Sequence, residues 1–247
     1  MIDLHCHLLP GADDGPETLE ESIAMARAAY QDGVRTIVAT PHEGEWARRH
    51  RGMDAGPALL EEVRRLEAQV RQAGMALSLC PGLETELDLD LVERLRAGRA
   101  LPLGQGRYFL LELPSYQRAI YLEQVLFQAQ LAGWLPLLAH AERYPFVQED
   151  PDVLGPLVQR GVLVQITVRS LTGEVGRTAR ETGLRLLRKG LAHVLASDGH
   201  SASGPRGPVL SPGVAAAARV VGPARAQAMV TEVPQRILEG LPLAIGD

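Results

Sequence analysis

The chain has 247 residues, 46% of them hydrophobic and 22% charged, enough apolar material to bury a core without disulfide or metal staples. A formal net charge of −5 argues against a general nucleic-acid binder. No segment reaches the ~18 uninterrupted apolar residues of a membrane span, so membrane insertion is not expected. The two cysteines, Cys6 and Cys80, lie in apolar strand-like runs, which indicates no disulfide framework and a cytoplasmic location. Lys189 is the sole lysine and asparagine is absent, a bias read as the codon usage of a GC-rich genome.

In chain order, strand-like runs alternate with amphipathic stretches, the pattern of βαβ units. The opening run MIDLHCHLL reads as a strand whose period-two alternation puts His5 and His7 on one side and Cys6 on the other. A helix over 18–31 follows, with Glu17, Glu20 and Glu21 at the positive end of its dipole and Gly33 as its stop. Further strands are predicted over 35–40, 76–83, 108–113, 135–139, 162–166 and 193–196. Helices are predicted over 57–72, 89–97, 119–131, 153–159 and 178–188. Past Ser201 a Gly/Pro/Ser-rich loop leads into helical segments. The expectation is one α/β domain over 1–247, a distorted seven-stranded TIM-like barrel, with an open doubly wound sheet as the alternative.

Parallel barrels carry their chemistry where strands run out at the C-terminal face. Reading those positions gives His5 and His7 after the first strand, His42 after the second and Glu84 after the third. Glu112 ends the fourth, His140 follows the fifth, and Asp198 and His200 follow the seventh. The sixth, ending near Gln165 and Thr167, offers no ligand. Five of the seven histidines thus fall on one predicted face. A carboxylate inside LLELP is costly to bury unless paired or bound to a cation. Glu86 competes with Glu84 within PGLETEL, and one of the two is expected to be solvated. With Asp14 there are nine candidate ligands, too many for one ion and suited to two or three bridged by carboxylates. Imidazole with carboxylate and no thiolate points to manganese, iron or zinc. The EGEWARRHRG stretch after His42, with Arg48, Arg49 and His50, reads as a solvated turn.

The motifs HCH, DDGP, ATPH, GLE, LLEL, AHAERY and ASDGH together resemble the polymerase-and-histidinol-phosphatase superfamily. Within it the chain is most similar to the bacterial manganese-dependent protein-tyrosine phosphatases of capsular and exopolysaccharide synthesis, over nearly its whole length. The resemblance implies a three-ion centre: His5, His7, Glu84 and Asp198 around one ion, Glu84, Glu112 and His140 around a second, and Asp14, His42 and His200 around a third. Manganese is the expected metal, with iron, zinc or cobalt as alternatives. Asp13 would support this set rather than ligate. Arg143 would contact the substrate phosphate. Arg206 would do the same, although its loop is a residue longer than in relatives; Arg177 and Arg180 are distant alternatives. The implied partner is a phosphotyrosine protein, for instance a bacterial tyrosine kinase.

The expected reaction is phosphate-monoester hydrolysis, in which bound cations activate water and hold the developing negative charge. A metal-bound water or a histidine such as His200 is the candidate to protonate the leaving oxygen. A cysteine-based mechanism is disfavoured, because Ala12 and Glu86 stand where the phosphate-cradling arginine would have to follow Cys6 or Cys80. The competing readings are a histidinol-phosphate phosphatase, a phosphodiesterase of the same superfamily, and a metal-stabilised binding protein without turnover.

Overall fold

The structure is a computed structural model that describes residues 1–50, 55–114 and 118–243. It contains eight strands among the described residues: β1 (Ile2–Cys6), β2 (Thr36–Ala39), β3 (Ser78–Pro81), β4 (Glu84–Glu86), β5 (Tyr108–Glu112), β6 (Leu135–Leu138), β7 (Leu163–Thr167) and β8 (Val194–Ala196). Strands adjacent in sequence pair in parallel, giving a three-stranded sheet β1-β2-β3 and a five-stranded sheet β4-β5-β6-β7-β8. Chain order is kept throughout both sheets, unlike the reversed order of a doubly wound fold. Two isolated parallel bridges, Cys6 with Gly199 and His42 with Glu84, link the two sheets.

The expected count of seven strands is therefore corrected. The predicted strand over 76–83 breaks at Gly82 and Leu83, where the backbone leaves β2 and resumes beside β5. A Cβ at Gly82 would lie 2.9 Å from Val38 Cγ1 and 3.0 Å from Leu103 Cδ2, so the absence of a side chain lets the chain cross this close. The break places Glu84 at the start of β4, paired with Leu110 of β5.

Period-two alternation divides the core in two. Val38, Tyr108, Leu110, Leu137, Leu163 and Val194 form an inner cluster with Ile237 of the helix Glu232–Leu238. The intervening Ile37, Phe109, Leu111, Leu138, Val164 and Leu195 join the larger cluster beneath the helices. Along each inner face the apolar residues give way to polar ones toward the strand's end: Tyr108, Leu110, Glu112 on β5 and Leu163, Gln165, Thr167 on β7. Val194 and Ala196 of β8 lead in the same way to Asp198.

Most predicted helices form. Leu19–Gln31 opens on a capping box in which Thr18 accepts from Glu21 N while the Glu21 side chain accepts from Thr18 N. The stretch after His42 is not a solvated turn. It forms the helix Glu43–Arg49, acidic in its first turn and basic in its last, with Trp46 fully buried. His50 stacks on Trp46 with ring centroids 3.8 Å apart, and its Nε2 lies 3.2 Å from Glu62. The end of that motif, 51–52, lies outside the described residues.

Candidate metal centre and active site

All nine candidate ligands meet at the C-terminal ends of the strands. His5 Nε2 and His7 Nε2 are 3.1 Å apart, and Glu84 Oε2 lies 3.3 Å from each and 3.0 Å from His42 Nδ1. Glu84 Oε1 is 2.8 Å from His140 Nε2, which is itself 3.6 Å from Glu112. Asp198 Oδ1 is 3.6 Å from His5 and 3.7 Å from His7. On the outer side, Asp14 Oδ1 is 3.2 Å from His200 Nε2 and 3.6 Å from His42 Nε2. Ligand atoms lie within 4.8 Å of one another in three overlapping groups: His5, His7 and Glu84; His42, Glu84 and Glu112; His7, Asp14, His42 and His200. Glu84 is buried among the imidazoles whereas Glu86 is exposed. Cys6 faces away, packed in the outer cluster with Sγ 3.6 Å from Gly199 O. Burial pushes its thiol well up, so it is no nucleophile.

The supporting contacts fix which ring nitrogens face inward. His7 Nδ1 is 2.6 Å from Asp13 Oδ2, which also accepts from His42 N at 3.0 Å. His5 Nδ1 is 3.2 Å from Gln165 Oε1, and His200 Nδ1 is 2.9 Å from the Asp198 carbonyl. These partners accept, so each Nδ1 donates and each neutral ring turns an unprotonated Nε2 into the centre. Asp13 touches two of the candidate ligands and belongs to none of the three groups. Gln165, on the strand read as offering no ligand, organises two ligand positions, since its Oε1 also accepts from His140 N at 2.9 Å. His140 and Asp198 adopt positive φ, +30° and +52°, and backbone strain of this kind is held where the surroundings over-determine it.

This donor set fits bound cations. Unprotonated His5 Nε2 and His7 Nε2 at 3.1 Å present lone pair to lone pair, and Glu84 Oε2 is buried with no hydrogen bond despite three imidazoles around it. Both features are unfavourable unless positive charge sits between the groups. In the protein by itself, protons do part of that work. Burial opposes charging His7, but the Asp13 and Glu84 carboxylates win and hold it well above the usual imidazole range. His42 is likewise raised against burial, by Glu84, to about 8. Burial would raise Glu84, yet the surrounding histidines hold it well below the usual carboxylate range. Glu112 is raised by burial and by the Glu84 charge.

The arginines border this centre. Arg143 Nη1 donates to Asp198 Oδ2 at 2.7 Å and Arg206 Nη2 to Asp14 Oδ2 at 2.7 Å. The loop beyond Ser201 folds back so that the Arg206 carbonyl accepts from His200 N at 2.8 Å and Ser201 N at 3.2 Å, bringing Arg206 to the rim despite its extra residue. Arg177 is 89% exposed and bonded to Glu181, and Arg180 is turned to the Leu171 carbonyl, so neither substitutes for it. Asp14, Glu112 and His42 keep 49%, 28% and 24% of their side-chain exposure, which makes that side the open one.

Comparisons with known proteins give the family and the fold. The profile of the family described as "Capsular polysaccharide synthesis, CpsB/CapC" matches residues 1–239. Tyrosine-protein phosphatase YwqE of Bacillus subtilis is 37% identical over 202 residues, 81% of this chain and 78% of that protein. Tyrosine-protein phosphatase CpsB of Streptococcus pneumoniae is 28% identical over 245 residues, 96% of this chain and 98% of that one. A crystal structure from work on those two proteins, described as unique metal-dependent tyrosine phosphatases, superposes with a TM-score of 0.90 at 32% identity, covering 99% of this chain and 96% of that one. A resiniferatoxin-binding protein from Rhodobacter sphaeroides, 14% identical with a TM-score of 0.57 over 90% of this chain and 75% of that one, shares the fold alone. The chain belongs to the CpsB/CapC family of capsular polysaccharide synthesis.

Proposed function

We propose that the protein is a metal-dependent protein-tyrosine phosphatase, a single domain whose two sheets close into a distorted barrel around the centre described above. The observation that carries the reading is the convergence of five imidazoles and four carboxylates, His5, His7, His42, His140, His200, Asp14, Glu84, Glu112 and Asp198, beside two arginines on a face open to solvent. His5, His7, Glu84 and Asp198 would hold one ion, Glu84, Glu112 and His140 a second, and Asp14, His42 and His200 a third, with manganese the metal we favour. Bound divalent ions supply an activated water and counter-charge for the phosphoryl group.

The chain's own groups supply the rest. Arg143 and Arg206, held beside the centre by Asp198 and Asp14, present guanidinium donors to the non-bridging phosphate oxygens. Burial lowers the pKa of His200 below the usual imidazole value despite Asp14 beside it, which keeps the ring neutral with Nε2 free to hold an ion. With Nδ1–H given to the Asp198 carbonyl it has no proton to spare, so the leaving oxygen takes its proton from water. A phenolate is a tolerable leaving group and needs little such help. The substrate is a phosphotyrosine protein, for which a bacterial tyrosine kinase is our candidate. Family membership, two cysteines in no disulfide, and no described helix long and apolar enough to cross a membrane support a cytoplasmic site of action.

The test is turnover of a phosphotyrosine peptide and of histidinol phosphate by purified protein, before and after chelation. Chelation should abolish activity, one of manganese, iron, cobalt or zinc should restore it, and the peptide should be preferred. Full activity in demonstrably metal-free protein, or a strong preference for histidinol phosphate, would overturn the assignment.

A further inference from the structure

The two oxygens of Asp198 face different partners. Oδ1 lies 3.6 Å from His5 Nε2, 3.7 Å from His7 Nε2 and 3.6 Å from His200 Nδ1. Oδ2 accepts from Arg143 Nη1 at 2.7 Å and, from the other arginine beside it, Arg169 Nη2 at 3.2 Å. Arg169 belongs to the short helix Val168–Thr172 that begins directly after β7, the strand whose end supplies no ligand. Nothing in the sequence around VRSLT marked it.

Asp198 Oδ2 takes one N–H from each of two guanidinium groups and leaves most of the five donors of each fork unspent. Arg143 at 2.7 Å already neutralises Asp198, and Arg169 makes the longer contact. Arg169 is 15% exposed, and its Nε is buried without a hydrogen-bond partner. Donor capacity is thus left over beside the centre on a side chain largely withdrawn from water. The helix that carries it is firmly placed. Glu142, fully buried, accepts from Ser170 Oγ at 2.6 Å and from Thr167 N at 3.2 Å, so the helix is tied at its start and its middle. Arg143 is 38% exposed and lines a cleft of about 260 Å³, and Arg169 borders a separate one of about 250 Å³. A tetrahedral phosphate, with three terminal oxygens, matches two adjacent guanidinium forks where one carboxylate oxygen does not.

We propose that Arg169 is a third phosphate-contacting arginine, acting beside Arg143 on the non-bridging oxygens of the phosphate monoester. This rests on the phosphatase reading and adds to it a residue that binds the transferred group. Arg169 would hold the phosphate in ground state and transition state alike, so its loss should show chiefly as weaker phosphate binding and a higher KM.

Equilibrium dialysis of inorganic phosphate against manganese-loaded protein tests this, for wild type, R169A and R169K, with metal content and peptide kinetics measured on the same preparations. R169A should bind phosphate about tenfold more weakly, the loss of one charge-assisted contact, with metal content unchanged. R169K keeps a positive charge beside Asp198 but not the fork, and should weaken phosphate binding roughly fivefold. It gives a reading even where R169A fails to fold. Phosphate affinity within about twofold of wild type in the folded variants overturns the proposal. So does loss of metal in step with loss of phosphate, which would make Arg169 a support for Asp198 only. Wild-type protein that binds phosphate yet leaves the peptide intact would sink the phosphatase reading alone, because the dialysis does not depend on turnover.

Discussion

At the scale of single residues, the least conspicuous side chain in the centre carries one of its sharpest consequences. Gln165 Oε1 takes His140 N at 2.9 Å and faces His5 Nδ1 at 3.2 Å, while its Nε2 donates to Thr167 Oγ1 at 3.4 Å. The last contact fixes which way the amide points, and the first two fix the His5 tautomer and the His140 backbone at φ +30°. Gln165→Leu would strand a buried N–H at a cost of roughly 1–3 kcal/mol and free His5 to choose its tautomer. Metal affinity should fall by roughly 10–100-fold. Competition with a chelating dye and thermal unfolding measure the two effects, and Gln165→Glu, which keeps the acceptor, should recover much of the first. Wild-type metal affinity in the leucine variant would remove Gln165 from any organising role. The candidate ligands were legible because a His, Asp or Glu closing an apolar run is chemically conspicuous. Gln165 was not, because an uncharged amide inside a strand acquires its meaning only from neighbours distant in sequence.

At the scale of elements, the sequence was readable where one rule decided the outcome and opaque where two competed. The capping box at Thr18 and the alternation on β5 each stand by themselves. The run over 76–83 is continuous in hydrophobicity, so nothing local announced that its two halves would pair with different strands. The short helix Val168–Thr172 was missed for a related reason, since its place depends on packing. Glycine shows how tight that packing is: a Cβ at Gly213 would sit 2.3 Å from Val168 Cβ and 2.8 Å from Val168 Cα. The second atom is backbone, so one of the helices Ser211–Val221 and Val168–Thr172 would have to move. Gly213→Ala should therefore destabilise the protein by roughly 1–3 kcal/mol, although alanine ordinarily favours a helix. A denaturation midpoint equal to or above that of wild type would show that the helices are less closely seated.

The whole molecule divides chemistry from stability along the strand axis. The polar inner positions and both strained residues, His140 and Asp198, lie at the C-terminal ends of the strands, while the opposite end is apolar and closed by Ile237. His193, just before β8, belongs to that opposite end. Its Nδ1 accepts from Val164 N at 3.1 Å, which requires a neutral ring, and burial together with the nearby Arg225 charge lowers its pKa from 6.5 to about 4. In the unfolded chain the same imidazole protonates near 6.5. As pH falls below that value the unfolded state takes up the proton and the folded state does not, so stability present above pH 6.5 is lost down to about pH 4. The total is about 3 kcal/mol for a shift of this size, with about 2 kcal/mol of it gone by pH 5. His193→Gln keeps a side-chain acceptor but cannot titrate. Between pH 7 and pH 5 the metal-loaded variant should lose about 2 kcal/mol less stability than wild type in urea unfolding, with the same turnover at pH 7. Acid release of metal acts on both proteins and cancels in the difference. Equal losses in the two would show that His193 is not the group whose protonation weakens the fold.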